Sequence, residues 1–370
     1  MKILYVTTVG ITMGFFKSYV RLLLDEGHTV DIATSEIDYK VPDCYREWGC
    51  TVHPIPTSRS ILSPGNLVAI KQIKRIVEEN RYDIVHCHTP IAAMCTRLAC
   101  RKARKHGTRV FYTAHGFHFF KGAPLKNWLF FYPVEKFCAR YTDVLVTINQ
   151  EDYNRAKRKF RAKQVAYIPG VGINVGKFAN AQVDRAEKRA EIGVPTDATL
   201  LLSVGELNEN KNHEVVLRAM ASLDAAELHY AIAGRGERMD YLNRLAADLG
   251  VAERLHTLGF RTDIAELYKA ADVCVLPSRR EGLAVAALEG MAAGLPLIVS
   301  DHRGVRDYAT DGTNALICPI DDVDATAEAI ERLLADPTLR ASMGAENSRI
   351  ILNYDEKVIN RMMLDAYMAQ

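Results

Sequence analysis

The stretch 271–296, ADVCVLPSRREGLAVAALEGMAAGLP, holds a strand, a turn and a helix in that order. Ala271 to Leu276 is an apolar run of strand length, and Pro277 ends it. Leu283 to Ala293 has helical composition, and Gly294-Leu295-Pro296 is a stop signal. Glu281 therefore falls in the turn at the carboxyl end of a strand. Glu289 falls on the helix about two turns later, since eight residues advance roughly 800°. Gly282 lets a ligand approach the backbone, and the first free N–H groups of the helix point back toward the loop. The arrangement suits a polyhydroxy, anionic ligand gripped at several points. A capped surface helix with two solvated glutamates has the same spacing; the flanking strand and terminator favour the ligand.

Outward from this unit, the same alternation runs along the whole chain. Strand-like runs at 2–8, 29–34, 51–55, 83–88, 109–114, 143–148 and 164–168 alternate with helical patterns at 15–26, 67–79 and 91–105. A second series follows: strands at 199–205, 228–233, 273–276, 297–300 and 315–318, with helices at 214–221, 238–249, 283–293 and 324–334. This is the signature of α/β, doubly wound parallel sheets. The rhythm pauses near Ile168-Pro169-Gly170-Val171-Gly172, so a linker is expected near 170–185, with domains at 1–178 and 179–353. The last segment, about 354–370, is amphipathic and is expected to pack back on the first domain.

With 370 residues, two domains are expected. No run of about 18 apolar residues predicts a membrane span. Met1 to Val6 reads directly as a strand, so no signal peptide is expected. Eight cysteines, mostly in apolar runs and without metal-site spacing, read as free thiols of a reducing cytosol. His86-Cys87-His88 is a poor metal site, because alternate strand residues place the histidines on one face and the cysteine on the other. Asp322-Val323-Asp324 precedes a helix and reads as a cap rather than a metal motif.

The net charge of +2 hides an asymmetry. Residues 1–178 carry 27 Lys/Arg against 14 Asp/Glu, and the remainder 20 against 31, balances of +13 and −11. The cations gather in Arg97–Arg109 and Arg155–Lys163, beside the aromatic, lysine-bearing stretch Phe117–Val134. That combination fits an anionic membrane surface. No stacking module or recognition helix points to nucleic acid; a solvated basic face over core aromatics is the plainer alternative.

Ligands of open parallel sheets sit outside the carboxyl ends of the strands. That rule gathers Val9–Gly14, His88, His115 and Asn149 from the first series. From the second it gathers Lys211, Gly234, Glu281–Val285 and Asp301–Gly304. Gly10-x3-Gly14 lacks the dinucleotide fingerprint. Lys211 can offer a point charge to a diphosphate, and His115 emerges at a strand end.

These residues carry a resemblance. SVGELNENKN (203–212), AGRGE (233–237), LGFRTDIAELYKAADVCVLPS (258–278), REGLAVAALEGMAAGLPLIVSD (280–301) and DGTNALICP (311–319) resemble the family 4 retaining glycosyltransferases. These have the GT-B fold, two facing Rossmann-like domains with a cleft between them. TAHGFHFFKG (113–122) and DHRGVRD (301–307) are similar to the branch that builds capsule, exopolysaccharide and lipid-linked oligosaccharides. The resemblance covers essentially the whole chain. It implies that Glu281 holds donor-sugar hydroxyls and Glu289 the nucleotide ribose. Amides of Gly282, Leu283, Ala284 and Val285 steady sugar and phosphate, and Lys211 neutralises the leaving diphosphate. His115 lies beside the transferred sugar, Gly14 near the phosphates, Phe260 and Arg261 flank the base, and Gly234 belongs to a nucleotide-contacting loop. His88 and Asn149 fall on the acceptor side. Many members have arginine where this chain has Glu206; Arg303 is the expected substitute. Arg235 stands where an acid is common.

The resemblance implies retaining sugar transfer, with a UDP-sugar as donor and a polyprenyl-diphosphate-linked saccharide as acceptor, at the cytoplasmic face of the membrane. Neither a cofactor nor an obligatory metal is implied. A GT-B-fold UDP-sugar epimerase, and a non-catalytic nucleotide-sugar-binding subunit of a transferase complex, are the alternatives.

Overall fold

The computed structural model describes residues 1–58, 60 and 63–369. One sheet contains β1 (Lys2–Val9), β2 (Thr29–Ser35), β3 (Val52–Pro54), β4 (Ile84–His88), β5 (Arg109–Ala114), β6 (Val144–Thr147) and β7 (Gln164–Tyr167). The other contains β8 (Thr199–Val204), β9 (Leu228–Ala233), β10 (Leu255–Gly259), β11 (Val273–Leu276), β12 (Leu297–Ser300) and β13 (Ala315–Cys318). Their orders are β3-β2-β1-β4-β5-β6-β7 and β10-β9-β8-β11-β12-β13. The pairings that build both sheets are parallel. The order reverses between β1 and β4 in the first sheet and between β8 and β11 in the second. At such a point the connecting segments diverge to opposite faces and leave a crevice at the strands' carboxyl ends.

Helices on both faces explain the near-continuous apolar strands. In β1, Leu4 and Val6 join one core cluster while Ile3 and Tyr5 join the cluster on the opposite face. β10 escaped the sequence reading: its five residues, LHTLG, are all half-buried at the sheet edge and lack a β-branched run.

Contacts divide the chain into two units. One is Met1–Gly172 with the last segment from Glu356, and the other is Ile173–Asp355. The expected boundary at 178/179 therefore moves to 172/173. The stretch expected as a linker contains the helices Val175–Ala179 and Arg185–Glu191. Val175 and Phe178 lie in the second unit's core. Arg189, 2% exposed, donates to the carbonyls of Ala270 and Ala198 and to Asp272. Such a segment is anchored too firmly to act as a tether.

The helix Glu356–Met368 belongs to the first unit. Ile359, Met363, Leu364 and Tyr367, at helical spacing, join Ile3, Tyr5 and Val20 in one cluster. Residue 370 of this segment lies outside the described residues. Gly172 has φ +74°, and a Cβ on it would lie 2.5 Å from Glu356 Cα, so only glycine fits.

Candidate functional site

In the second unit, two loops at the switch point, one after β8 and one after β11, are laced together. Asn208 caps the 3-10 turn Glu209–Lys211, its side chain accepting from the Lys211 amide at 3.1 Å. Arg279 N–H donates to the Asn210 carbonyl at 2.8 Å, and Asn210 Nδ2 to the Arg280 carbonyl at 3.0 Å. The guanidinium of Arg279 binds Glu214 and Asp321. This lacing sets Lys211 Nζ 2.8 Å from Glu281 Oε1, an ion pair that is mostly shielded from solvent.

Glycines make the assembly possible. A Cβ on Gly205 would meet Lys211 Cε at 3.2 Å, and one on Gly234 would strike the Gly205 carbonyl oxygen at 1.7 Å. One on Gly304 would lie 2.4 Å from the Gly282 carbonyl oxygen. The loops after β8, β9, β11 and β12 thus touch backbone to backbone around the ion pair. Arg303 Nε donates to the Glu281 carbonyl at 3.4 Å. Glu206 accepts from Asn208 at the exposed rim.

The helix after Glu281 spans Val285–Ala292, starting two residues later than expected. Ala284 precedes it, and no side chain caps this end, which keeps the positive end of its dipole uncovered by side chains. Leu283 and Val285 pack against the core, holding the loop Gly282–Ala284 in place. Glu289 is largely buried on this helix. Burial raises its carboxyl to about 7, against a smaller lowering by Lys177.

Phe260 is 65% exposed after β10, with the Arg235 guanidinium 5.7 Å from its ring centroid. Arg261 departs from its expected role beside a base. Its guanidinium is bound to Asp263 and Glu191, part of a network with Lys188, so only its backbone and Phe260 remain for a ligand. His302 was gathered from the sequence only as part of the 301–304 loop, with no role of its own. It is 4% exposed, with no hydrogen-bond partner for either ring nitrogen among the described residues. Burial lowers it to about 4, with Glu281 and Lys211 acting on it oppositely. Nothing in the sequence distinguishes it from a loop histidine.

The first unit builds a different cluster at its own switch point. His86 and His88 on β4 share a face, ring centroids 4.1 Å apart, while Cys87 lies on the opposite face and donates to the Phe111 carbonyl. His88 Nδ1 lies 3.1 Å from His115 Nε2. His86 is bound by Thr113 of β5 at 2.8 Å and by the Tyr367 hydroxyl from the C-terminal helix. Tyr5, Phe16, His115 and Met363 line the same pocket. Burial lowers His115 to about 4, His86 to about 3 and His88 well below its ordinary value. These imidazoles are neutral at physiological pH.

Gly14 lies in the 3-10 segment Gly10–Phe16, and a Cβ on it would meet nothing within 4 Å. At Gly10 a Cβ would collide with the Tyr39 carbonyl oxygen at 2.5 Å. Packing therefore requires glycine at position 10 and leaves 14 unexplained. Asn149, expected on the acceptor side, is a buried helix cap: its Oδ1 accepts from Asp152 N at 2.8 Å and its Nδ2 donates to Asp152 Oδ2 at 3.0 Å. Asp322 caps its helix through Ala325 N, as read from the sequence. Among the described residues, no three His, Cys, Asp or Glu gather as a metal site.

Comparison with known proteins adds the family. The model for glycosyl transferases group 1 matches residues 184–349, and that for glycosyl transferase 4-like proteins matches 2–149. EpsD of Bacillus subtilis (strain 168), a glycosyltransferase by name, is 40% identical over 373 residues, covering 100% of this chain and 96% of EpsD. The UDP-Gal:α-D-GlcNAc-diphosphoundecaprenol α-1,3-galactosyltransferase of Escherichia coli is 29% identical over 293 residues, 77% of this chain and 75% of that one. In structure, Anabaena HepE in complex with UDP superposes with a TM-score of 0.84 at 19% identity, each chain covered completely. WaaG, a glycosyltransferase of lipopolysaccharide biosynthesis, gives 0.78 at 17%, again over both whole chains. Two parallel-sheet units, the matched models and the EpsD relationship together make this chain a member of the group 1 and 4-like glycosyltransferases, with the GT-B fold.

Proposed function

We propose that this glycosyltransferase moves a hexosyl or N-acetylhexosaminyl group from a UDP-sugar to a polyprenyl-diphosphate-linked saccharide, with retention at the anomeric carbon. The observation that carries this reading is the Lys211–Glu281 pair at the second unit's switch point, below an uncapped helix end. It offers a cation to phosphate oxygens and a carboxylate to sugar hydroxyls within one hydrogen bond of each other. The Anabaena neighbour's complexes with UDP and UDP-glucose support the donor class. The E. coli relative's name supports the lipid-linked acceptor.

As the glycosidic bond breaks, negative charge grows on the departing diphosphate and positive charge on the sugar ring. Lys211 and the N-terminal amides of Val285–Ala292 stabilise the former as it develops. Glu281 orients the sugar, and Glu289 accepts from the ribose. Gly14, open on the side a Cβ would fill, admits the donor phosphates. The acceptor proton passes to the leaving phosphate in a front-face displacement, so neither a protein base nor a metal cofactor is required. Arg303 reinforces the loop by its bond to the Glu281 carbonyl and supplies charge near the position of Glu206.

The enzyme works as a peripheral protein at the inner face of the membrane. No described helix is long and apolar enough to cross one. The helix Leu125–Cys138 has apolar residues on two sides. Trp128, Phe131 and Tyr132 pack inward, whereas Leu125, Leu129, Phe130 and Phe137 are exposed at 74, 64, 64 and 46%. Exposed Lys126, Lys136 and Arg140 stand among them, a combination suited to anionic lipid headgroups. The flanking basic runs contribute less than their composition suggests. Arg97 is buried against Glu135, and Arg104 is bound to Asp143.

The test is a panel of UDP- and GDP-sugars scored by nucleotide release with extracted lipid-linked acceptors. UDP release that depends on acceptor, unaffected by EDTA and abolished in Glu281→Ala, is expected. Near-normal transfer by that variant removes the reading.

A further inference from the structure

We propose that His88 is a positioning residue that holds His115 as a neutral hydrogen-bond donor, with its proton on Nδ1 available to a substrate oxygen. The inference deepens the transferase reading and rests on it only for what that N–H meets.

His88 is 1% exposed and fixed by ring packing: Phe16 at 4.2 Å, His86 at 4.1 Å and Tyr5 at 5.4 Å between centroids. Its Nδ1 lies 3.1 Å from His115 Nε2, so exactly one proton must lie between them in the hydrogen bond. Its Nε2 is buried with no partner among the described residues. If His115 donated that proton, His88 would have to carry its own on Nε2, stranding a buried N–H. A buried N–H without an acceptor forfeits the hydrogen bond it would make to water, which disfavours that arrangement. The alternative places the proton on His88 Nδ1. His115 Nε2 then accepts, and neutral His115 keeps its proton on Nδ1.

The second ring carries the same constraint back to the chain's end. His86 stacks on His88 and is held by Thr113 and by Tyr367 of the C-terminal helix. Aromatic packing and burial around the trio oppose any imidazolium. His115 is half-buried, and its Nδ1 makes no hydrogen bond within the unit among the described residues. A group in that state can donate to a sugar or phosphate oxygen and cannot serve as a proton-accepting base at that nitrogen. Free histidine prefers its proton on Nε2, so the arrangement is not what an unconstrained ring would adopt.

The experiment is 15N NMR of histidine-labelled full-length protein at pH 7, with His115 assigned by its loss in His115→Asn. A wild-type His115 protonated on Nδ1 supports the proposal; a proton on Nε2, or an imidazolium, overturns it. His88→Asn keeps a donor near the Nδ1 position and should preserve the tautomer. His88→Phe keeps ring packing without a donor; the tautomer should shift and kcat fall by about 100-fold with little change in KM, as for a misaligned group. Unchanged tautomer and kcat in His88→Phe overturn the proposal. If that variant does not fold, the wild-type and His88→Asn spectra still decide. The spectra do not depend on transfer, so failure of the transferase reading would leave this test standing.

Discussion

Each unit places its polar residues where the strand order reverses, yet the two switch points hold opposite chemistry. After β8 and β11 stand a cation and a carboxylate 2.8 Å apart in loops, mostly shielded but still reached by solvent. Beyond β4 and β5 stand neutral imidazoles among aromatic rings. The first unit's fully buried ion pair, Arg97–Glu135, is elsewhere, bridging the helices Pro90–Ala99 and Leu125–Cys138. Charge kept in a solvent-reachable loop remains free to exchange partners with a ligand; charge sealed in a core cannot. On the proposed reading, the difference separates a pair that binds from a pair that builds.

Breaking the two ion pairs sharpens this most. Arg97 is 0% and Glu135 4% exposed, and Tyr112 also donates to Glu135. Arg97→Ala strands a buried carboxylate and should cost about 3–5 kcal/mol of stability, read as a fall in denaturation midpoint. The double replacement Arg97→Met with Glu135→Leu should recover most of it. Lys211→Ala should behave the other way: about 1 kcal/mol of stability, and a 10²–10³-fold loss of turnover, as for removal of one charge-stabilising donor. Equal stability losses from the two pairs would erase the distinction.

The second unit was the more legible. Its site residues lie in short motifs directly after strands, so local sequence carries both the element and the ligand group. What stayed hidden there depended on partners far away in the chain. Arg261 looked available until Glu191, 70 residues earlier, was found on its guanidinium. The first unit's cluster joins β4, β5 and Tyr367, residues 281 apart at the extreme. Alternation on β4 disclosed that His86 and His88 share a face, but no local pattern could announce Tyr367. Asn149 caps a helix, and a capping side chain and a ligand-binding one look alike at a strand end. The helix Leu125–Cys138 was seen only as an aromatic stretch, with its inner and outer faces unresolved.

A smaller effect tests whether the exposed face of that helix differs from the aromatic core beneath it. Leu129→Ser with Phe130→Ser removes two exposed apolar side chains and should weaken flotation with anionic vesicles roughly tenfold, about 1.4 kcal/mol. Acceptor-independent UDP binding and thermal stability should hardly change. An equal loss of stability would show the residues to be part of the fold's packing, and unaltered flotation would separate the helix from the membrane.

The finest distinction lies between the two glutamates. Glu289 is raised from its ordinary 4.5 to about 7 by burial, so the folded chain holds this proton more tightly than the unfolded one. Its contribution to stability is therefore greatest below pH 4.5 and is lost as pH rises to 7. Binding should follow the opposite slope if, as proposed, ribose hydroxyls donate to the ionised carboxylate. A group titrating at about 7 is roughly one-tenth ionised at pH 6 and nine-tenths at pH 8, so affinity for a nucleotide-sugar should rise about ninefold across that interval. UDP-glucose is the suitable probe, since its diphosphate diester does not titrate there, whereas the terminal phosphate of UDP does. Glu289→Gln should flatten the profile without abolishing binding, the amide still accepting one hydroxyl. If the slope survives in Glu289→Gln, the titrating group lies elsewhere and the ribose role passes from this residue.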